Sequence, residues 1–261
     1  MKKTVNKKVD IVISDARNDV NLLKENSIDS KKEYVEEQYV PGEVFDHTVE
    51  HSDVYYEQYI QNFEPNNSKK QLYSFIKRFL DIAVSLAMLI FLSPLMLIIA
   101  IAIKCDSRGS VVFKQQRMGK NKKSFYCYKF RTMKTDAPHD CATSQLENKE
   151  QYLTRIGRFL RKSSLDELPQ LWCVLVGDMS FIGYRPLVLT EKKCNEMRDK
   201  LGVFSAKPGI SGYAQVLGRD DVYYKNKAIL DAEYVKNASL IFDLKLIFRT
   251  VAVVLKKEGI E

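Results

Sequence analysis

The longest apolar stretch of the chain lies at residues 79–103 and reads FLDIAVSLAMLIFLSPLMLIIAIAI. It carries a single charge, Asp81, and the run after this residue is long enough for a helix to enter the hydrocarbon core of a bilayer. Ser93 and Pro94 stand at its centre. Because proline removes a backbone donor and clashes with the preceding turn, we expect the helix to bend there, with the serine hydroxyl as a partner for the freed carbonyl.

Basic residues flank this stretch at both ends: Lys77 and Arg78 precede it, and Lys104, Arg108, Lys114 and Arg117 follow it. A helix that crosses a membrane usually has its Lys and Arg residues concentrated on one side. The pattern therefore leaves two arrangements open, a spanning helix and a re-entrant hairpin that bends at Ser93-Pro94. A buried core helix of a soluble protein fits less well, because the stretch is apolar on all faces.

The hydropathy pattern divides the rest of the chain around this helix. We predict a polar, weakly ordered extension at residues 1–70, with one short helix at 54–63, then the membrane-inserted helix at 71–104 and a domain at 105–261. Residues 240–256 are apolar with charges interspersed, which is typical both of a helix in the membrane interface and of a helix that packs in the core. We expect an α+β fold that is mostly helical, with short strands.

A strand is predicted at residues 125–133, where the sequence FYCYKFRTM alternates aromatic and polar side chains. Alternate residues of a strand point the same way, so Lys129 and Arg131 are expected to share one face. Two cations on one face of a strand can bind phosphate, although more often such residues are simply solvated.

Charge is distributed unevenly along the chain. The net charge of +8 combines 10 Lys and Arg against 14 Asp and Glu in residues 1–70 with 31 against 19 in the remainder. A basic domain next to an apolar helix indicates anionic lipid headgroups, phosphate-bearing substrates or both as partners. Nucleic acid is the competing explanation, but the sequence has no helix-turn-helix, zinc or RNA-binding signature.

The five cysteines are dispersed, with no Cys-x-x-Cys pair. This pattern favours reduced thiols that face the cytosol over a disulfide framework or a zinc site. The first ten residues, MKKTVNKKVD, lack the apolar region of a cleavable signal peptide.

The stretch TRIGRFLRKSSLDELPQLWCVLVGDMSFIG contains the acidic pair Asp166-Glu167, which is the main candidate for a catalytic role. We predict a helix at residues 168–176 that Ser164 or Asp166 caps, with Pro169 in its first turn and Gly177 at its end. Acidic residues at the start of a helix match the helix dipole, and this structural explanation needs no catalytic role.

A catalytic interpretation of the same acidic pair rests on its neighbours. Four basic residues stand just before it: Arg155, Arg158, Arg161 and Lys162. A helix N-terminus near arginines is an anion site, and we expect a carboxylate placed there to have a lowered pKa and to stay ionised. An ionised Asp166 beside a bound diphosphate can attack phosphorus to form an acyl phosphate, while Glu167 helps to hold Mg2+ at the phosphate oxygens.

Two glycine-containing turns add further cations. The sequence GYRP carries Arg185, and the sequence KPGISGY begins with Lys207. Either turn can be plain punctuation between elements, but two turns that each carry a cation fit a phosphate-lined pocket better.

Taken together, these segments resemble the bacterial sugar transferase family, the small monotopic phosphoglycosyl transferases that begin undecaprenyl-linked glycan assembly. The resemblance runs from about residue 72 to 255 and includes the Ser93-Pro94 helix, FRTM, RKSSLDELPQLWCVLVGDMSFIGYRP, KPGISGYAQVLGR and DAEYVKNASLIFDLKLIF. It implies that Asp166 is a covalent nucleophile, that Glu167 is its partner near Mg2+, and that the helix is re-entrant.

Further site residues are implied by the same resemblance. The basic residues that match are Arg161, Arg185 and Lys207, and Asp231 matches a family aspartate with a supporting role. Tyr184 replaces the proline that usually precedes Arg185, and Lys207 replaces an arginine, which keeps the charge but loses the bidentate geometry. The family's usual Gly-Trp-Ala-Gln is Gly-Tyr-Ala-Gln at residues 212–215. These departures affect the recognition of the sugar or the uridine.

The activity implied is transfer of a sugar-1-phosphate from a UDP-sugar to undecaprenyl phosphate, with release of UMP, as the first membrane step of exopolysaccharide, capsule or related glycan synthesis. The implied partners are these two substrates and the lipid of the bacterial inner membrane, on its cytoplasmic face. Other glycan-assembly enzymes and a second copy of the chain remain open as partners. An inactive membrane scaffold, a membrane-anchored nucleic-acid binder and a conventional glycosyltransferase are the alternatives, although the last lacks a nucleotide-binding glycine fingerprint.

Overall fold

The computed structural model describes residues 34–35, 45–64, 71–138, 149–218 and 223–256. Two compact units are present, Met1–Phe63 and Glu64–Glu261. Within the described residues helices dominate and the strands are short, as the sequence predicts. Much of the predicted extension at residues 1–70 lies outside the described residues.

The first unit contains two short parallel strands, β1 (Tyr34–Val35) and β2 (Glu50–His51), and helix α1 (Asp53–Asn62). Helix α1 begins after Ser52, whose side chain accepts a hydrogen bond from the backbone N–H of Tyr55. Aromatic rings pack around this helix, and the ring of His51 stacks on that of Tyr55 at 4.1 Å between centroids. The helix predicted at residues 54–63 is therefore present, displaced by one residue.

The second unit begins with the long helix α2 (Gln71–Asp106). Among the described residues it is the one helix long and apolar enough to cross a membrane, with a mean hydropathy of 2.8 over its most apolar window. Pro94 lies inside it, and the Ser93 hydroxyl donates to the carbonyl oxygen of Ile90 at 2.8 Å. The expected partner for the freed carbonyl is confirmed.

Both ends of α2 contact the same unit. Near its start, the buried Asp81 accepts hydrogen bonds from the Ser180 hydroxyl (3.1 Å) and the Phe181 backbone N–H (3.3 Å). Near its end, Ile99 and Ile103 are buried against Phe130 and Leu160. Most of the large apolar side chains between these two contact regions are exposed.

An antiparallel hairpin follows, formed by β3 (Val112–Met118) and β4 (Ser124–Phe130), with Val112 paired to Phe130. Strand β4 ends at Phe130, three residues before the predicted end, so Arg131 lies outside the strand. The parallel strands β5 (Ser180–Ile182) and β6 (Gly209–Ser211) form a second pair. A Cβ atom on Gly209 would lie 2.1 Å from the backbone nitrogen of Gly183, which explains why both turns need glycine.

The acidic pair lies between helix α3 (Arg155–Ser163) and helix α4 (Gln170–Val176). Ser164 has φ +57° and ends α3, and Leu165–Glu167 then form a single 3-10 turn. The predicted helix start at residue 168, capped by Ser164 or Asp166, is wrong, because Pro169 occupies the N-cap position and neither side chain caps α4. Gly177, with φ +102°, ends α4 as predicted.

The remaining helices are α5 (Lys192–Lys200), α6 (Tyr213–Gly218), α7 (Tyr224–Asn237) and α8 (Leu240–Lys256). Asp243 joins α8 to α2 through an ion pair with Lys77 (2.6 Å) and a hydrogen bond from Tyr73 (2.8 Å). Phe242 and Leu246 are buried in the core, whereas the other side of α8 is exposed and apolar. One face of α8 therefore packs in the core, as one of the two alternatives predicts. The other face is exposed and apolar, which is what the membrane-interface alternative predicts.

Candidate active site

Glu167 stands at the centre of a cationic cluster drawn from three elements. Its Oε1 atom lies 2.6 Å from Nζ of Lys129, on strand β4, and 3.2 Å from Nη2 of Arg185, in the turn after β5. The 3-10 turn orients this carboxylate toward the hairpin and places Asp166 directly before it in the chain. The structure therefore brings together four predicted site residues that lie up to 56 positions apart: Lys129, Asp166, Glu167 and Arg185.

The pKa values of the two acidic residues move in opposite directions. Burial alone would raise the pKa of Glu167, but Lys129 and Arg185 outweigh burial and hold that pKa at about 2. Asp166 has only 8% of its surface exposed, and burial raises its pKa above the ordinary value, with Lys129 opposing the shift and Glu167 adding to it. The predicted lowered pKa is thus found on Glu167 and is wrong for Asp166, which lies buried in a 3-10 turn and not at a helix N-terminus.

Arg161 completes the surroundings of Asp166. Its Nε atom donates to the Thr132 hydroxyl at 3.1 Å, which fixes the guanidinium group at the end of α3. The positive charge of Arg161 also opposes the raised pKa of Asp166. Three cations therefore act on this buried carboxyl group: Lys129, Arg161 and Arg185.

Arg131 lies apart from this cluster. Its guanidinium group is buried and donates to the carbonyl oxygens of Arg108 (2.5 Å) and Ser107 (2.8 Å), in the loop after α2. Lys129 instead directs its amino group to Glu167, so the two cations that were predicted to share one face contact different groups. The structure gives Arg131 the position of a loop-stabilising residue, in contrast to the predicted phosphate-binding position.

Lys207 lies at the other end of α4. A Cβ atom on Gly177 would lie 3.3 Å from Nζ of Lys207 and 3.2 Å from Nη2 of Arg78. Arg78 donates to the carbonyl oxygens of Val174 and Leu175, both at 2.7 Å, and so stabilises the C-terminus of α4. Lys207 therefore lies near Gly177 and Arg78, whereas Arg185 contacts Glu167. The two cations do not line one pocket as predicted.

Asp231 is buried in an ion pair with Arg198, and both side chains are at most 2% exposed. Its contact with the cluster is indirect, since Arg198 donates through Nη1 to the carbonyl oxygen of Arg185 at 3.0 Å. Arg198 has no signal in the sequence, because it lies in the strongly polar segment KKCNEMRDK, in which a buried arginine looks like any solvated one.

The residues present fit a Mg2+ ion only in combination with substrate. No group of three His, Cys, Asp or Glu side chains suited to a metal occurs in the parts of the chain that the structure describes. Lys129 and Arg185 both bind Oε1 of Glu167, which leaves its second carboxylate oxygen as the candidate ligand. Mg2+ commonly takes one or two carboxylates and completes its shell with water and phosphate oxygens. When bound at Glu167, Mg2+ would neutralise charge on the phosphate groups.

The chain is similar to several bacterial proteins that are named as sugar phosphotransferases. It is 40% identical over 210 residues to the undecaprenyl-phosphate galactose phosphotransferase of Salmonella typhimurium, covering 74% of this chain and 43% of that relative. It is 39% identical over 187 residues to the undecaprenyl-phosphate glucose phosphotransferase of Komagataeibacter xylinus, covering 67% of this chain and 35% of the relative. The chain thus spans less than half the length of these two relatives.

A shorter relative aligns over most of its length. The exopolysaccharide production protein ExoY of Rhizobium meliloti is 40% identical over 201 residues, which cover 70% of this chain and 87% of the relative. The family model for bacterial sugar transferases matches residues 72–257, close to residues 72–255, over which the sequence motifs resemble this family. The chain therefore belongs to the bacterial sugar transferase family.

Proposed function

We propose that this protein transfers a sugar-1-phosphate from a UDP-sugar to undecaprenyl phosphate and releases UMP, with Asp166 as covalent nucleophile. The observation that carries the proposal is the buried Asp166, which directly precedes Glu167 in the chain, while Glu167 forms ion pairs with Lys129 and Arg185. The positive charges of Lys129, Arg161 and Arg185 also favour the ionised form of Asp166. The names of the relatives, which include an undecaprenyl-phosphate galactose phosphotransferase and an undecaprenyl-phosphate glucose phosphotransferase, support this class of reaction.

In the first step of the proposed reaction, a carboxylate oxygen of Asp166 attacks the β-phosphorus of the UDP-sugar. The new bond joins this oxygen to phosphorus, and the bond between phosphorus and the bridging oxygen breaks, so UMP leaves with both electrons of that bond. A desolvated carboxylate is a stronger nucleophile than a hydrated one, which suits a buried aspartate. Lys129, Arg161 and Arg185 supply the positive charge that stabilises the phosphoryl oxygens in the transition state.

In the second step, a phosphate oxygen of the lipid attacks the aspartyl-linked phosphorus. The bond between phosphorus and Asp166 breaks, the carboxylate is restored, and the lipid leaves as a diphosphate that carries the sugar. Because the attacking phosphate is already ionised, this step needs no general base. It does need a lipid substrate delivered at the level of the site, and this requirement links the chemistry to helix α2.

For the membrane arrangement, we propose a re-entrant α2 at residues 71–104 that keeps the domain at residues 105–261 on the cytoplasmic face. Support comes from the contacts of both helix ends with one unit: Asp81 with Ser180 at one end and Ile103 with Phe130 at the other. Further exposed apolar side chains lie on three other helices and suit a membrane interface: Phe159, Trp172, Val176, Ile241, Leu244 and Phe248.

The test of the proposed function is the nucleotide that is released. Detergent-solubilised protein receives undecaprenyl phosphate, Mg2+ and a panel of UDP-sugars, and UMP and UDP are separated by chromatography. We expect UMP release that requires the lipid and that is lost in Asp166→Asn. UDP release would establish ordinary glycosyl transfer, and turnover by Asp166→Asn at the wild-type rate would overturn the covalent step. No product with any donor would favour the scaffold alternative.

A further inference from the structure

The turn that carries Arg185 is held from four directions. Every backbone carbonyl from residue 184 to residue 187 accepts a hydrogen bond from a different part of the unit. The donors, in order, are the Gly209 N–H to Tyr184 (2.8 Å), Arg198 Nη1 to Arg185 (3.0 Å), Arg117 Nη1 to Pro186 (2.8 Å) and the Met118 N–H to Leu187 (3.0 Å). Two of the four donors are arginine side chains, and they hold consecutive carbonyls. Backbone N–H groups therefore hold the two ends of this turn, and arginine side chains hold its middle.

Arg198 is itself locked in place. Its side chain is fully buried, its Nη2 atom pairs with Asp231, and its guanidinium carbon lies 5.4 Å from the centre of the Tyr184 ring. A buried charge is costly unless it is paired and hydrogen-bonded, so the Asp231 carboxylate is what allows Arg198 to stay charged at this depth. The same guanidinium group then has Nη1 for the carbonyl of Arg185. Asp231 therefore holds Arg198 in position, and Arg198 in turn holds the backbone carbonyl of Arg185.

Arg117 approaches the turn from the hairpin. Its Nη2 atom donates to the Gln115 side chain at 2.7 Å, while Nη1 donates to the carbonyl of Pro186. Burial, and then the positive charge of Arg185, lower the pKa of Arg117. Arg117 therefore holds the carbonyl of the residue that directly follows Arg185 in the chain.

We propose that Arg198 and Arg117 are positioning residues for the transfer reaction, which set the Arg185 guanidinium group against Glu167 by fixing the carbonyls of Arg185 and Pro186. The inference rests on the proposed function for the role of Arg185. It extends that function by giving the buried Arg198 and Asp231 and the half-buried Arg117 a part in catalysis that requires no contact with substrate. A purely structural role for Arg198 would stabilise the unit without any specific coupling to Arg185.

A double-mutant cycle separates these two roles. The four proteins are wild type, Arg198→Lys, Arg185→Ala and the double variant, and UMP release gives kcat and KM for each. Lysine retains a charge for Asp231 but lacks the planar fork that reaches both acceptors. Misplacement of a catalytic group costs on the order of 10²-fold in rate, so kcat of Arg198→Lys is expected to fall by about 10²-fold, with a smaller rise in KM. Without Arg185, the same substitution should change kcat within about twofold.

A binding measurement keeps the test independent of turnover. Calorimetry with inorganic pyrophosphate on the same four proteins should show weaker binding for Arg198→Lys only where Arg185 is present. The variant Arg198→Met/Asp231→Leu removes both buried charges, is expected to stay folded, and should show the same loss of kcat as Arg198→Lys. The control Lys122→Met removes the exposed pair with Asp199, the neighbour of Arg198, and should change neither readout.

The outcomes distinguish the two proposals. Coupling in pyrophosphate binding without UMP release would refute the proposed function and leave the positioning roles standing. UMP release with equal losses from Arg198→Lys in both backgrounds would overturn the positioning roles and leave the function standing. A wild-type protein that neither binds pyrophosphate nor releases UMP would overturn both.

Discussion

Ser93 donates its hydroxyl hydrogen to the carbonyl oxygen of Ile90 at a distance of 2.8 Å. Ile90 is four residues before Pro94, so its carbonyl is the one that loses its helical donor to the proline. In a hydrocarbon environment an unpaired carbonyl has no water to replace that donor. The adjacent serine therefore makes the proline tolerable in the middle of α2.

Replacement of Ser93 by alanine tests this dependence. In Ser93→Ala the Ile90 carbonyl loses its partner, so the protein should be destabilised by about 1–3 kcal/mol. In a Pro94→Ala background the residue at position 94 supplies a backbone N–H, and Ser93→Ala should then have little effect. The measurement is the thermal unfolding midpoint of the four proteins in detergent. Equal losses in both backgrounds would show that the hydroxyl does not serve the proline.

The re-entrant arrangement predicts that both ends of α2 face the same side of the membrane. Cys105, near the C-terminal end, is exposed, and the exposed Ser74 near the N-terminal end can be changed to cysteine. Cys127, Cys173 and Cys194 are buried, and Cys141 lies outside the described residues, so a Cys141→Ser background is suitable. An impermeant maleimide should label both end positions in inverted vesicles and neither in intact spheroplasts.

The matched control for this labelling is Cys105→Ser, which should remove the signal at the C-terminal end and leave that of Ser74→Cys. Labelling of the two positions from opposite sides would establish a spanning helix and refute the re-entrant proposal. Lys77 and Arg78 would then lie across the membrane from Lys104.

The features that the sequence predicts well are those fixed by local chemistry. The apolar run and Pro94 define α2, and Gly177, which has a positive φ, ends α4. The sequence also indicates cations near the acidic pair, and the structure places Arg185 there, but the contact of Lys129 with Glu167 was not predicted. Each of these inferences needs only a few neighbouring residues.

The features that were missed depend on contacts between distant segments. The pairing of Arg198 with Asp231 joins two helices across 33 positions, and no spacing rule in the sequence announces it. The direction of the Asp166 pKa shift depends on burial, which only the packed unit determines. The guanidinium group of Arg131 donates to the carbonyl oxygens of Ser107 and Arg108, a contact with the loop after α2 that the alternating strand pattern does not indicate.

Asp166 and Glu167 should affect stability with opposite signs. The pKa of Asp166 is raised in the folded state, so its ionised form destabilises the protein above that pKa, and Asp166→Asn should raise the unfolding midpoint at pH 7. A gain of about 1 kcal/mol corresponds to a rise of about 2–4 °C for a chain of this size. The pKa of Glu167 is lowered to about 2, so Glu167→Gln should lower the midpoint at pH 7.

The pH dependence of these changes checks the sign. The loss in Glu167→Gln should be fully present above the ordinary value of 4.5 and disappear as the pH falls toward about 2. The gain in Asp166→Asn should shrink as the pH falls below the raised pKa of Asp166, because the wild-type carboxyl group then becomes neutral. Unfolding midpoints measured from about pH 2 to about pH 7 test both trends, because this range reaches the lowered pKa of Glu167. Shifts of the same sign for both variants would contradict the charge distribution described for the site.

Lys129 is the cation whose removal should alter both the rate and its pH dependence. Lys129→Met removes the 2.6 Å contact with Glu167 and the largest positive influence on Asp166, so kcat should fall by about 10²–10³-fold. Because Lys129 opposes the raised pKa of Asp166, the acidic limb of the kcat profile should also move to higher pH. UMP release measured against pH gives both quantities. The control is Lys114→Met, on the exposed side of the same hairpin, which should leave both unchanged. A Lys129→Met variant with the wild-type pH profile would show that Asp166 does not set the acidic limb.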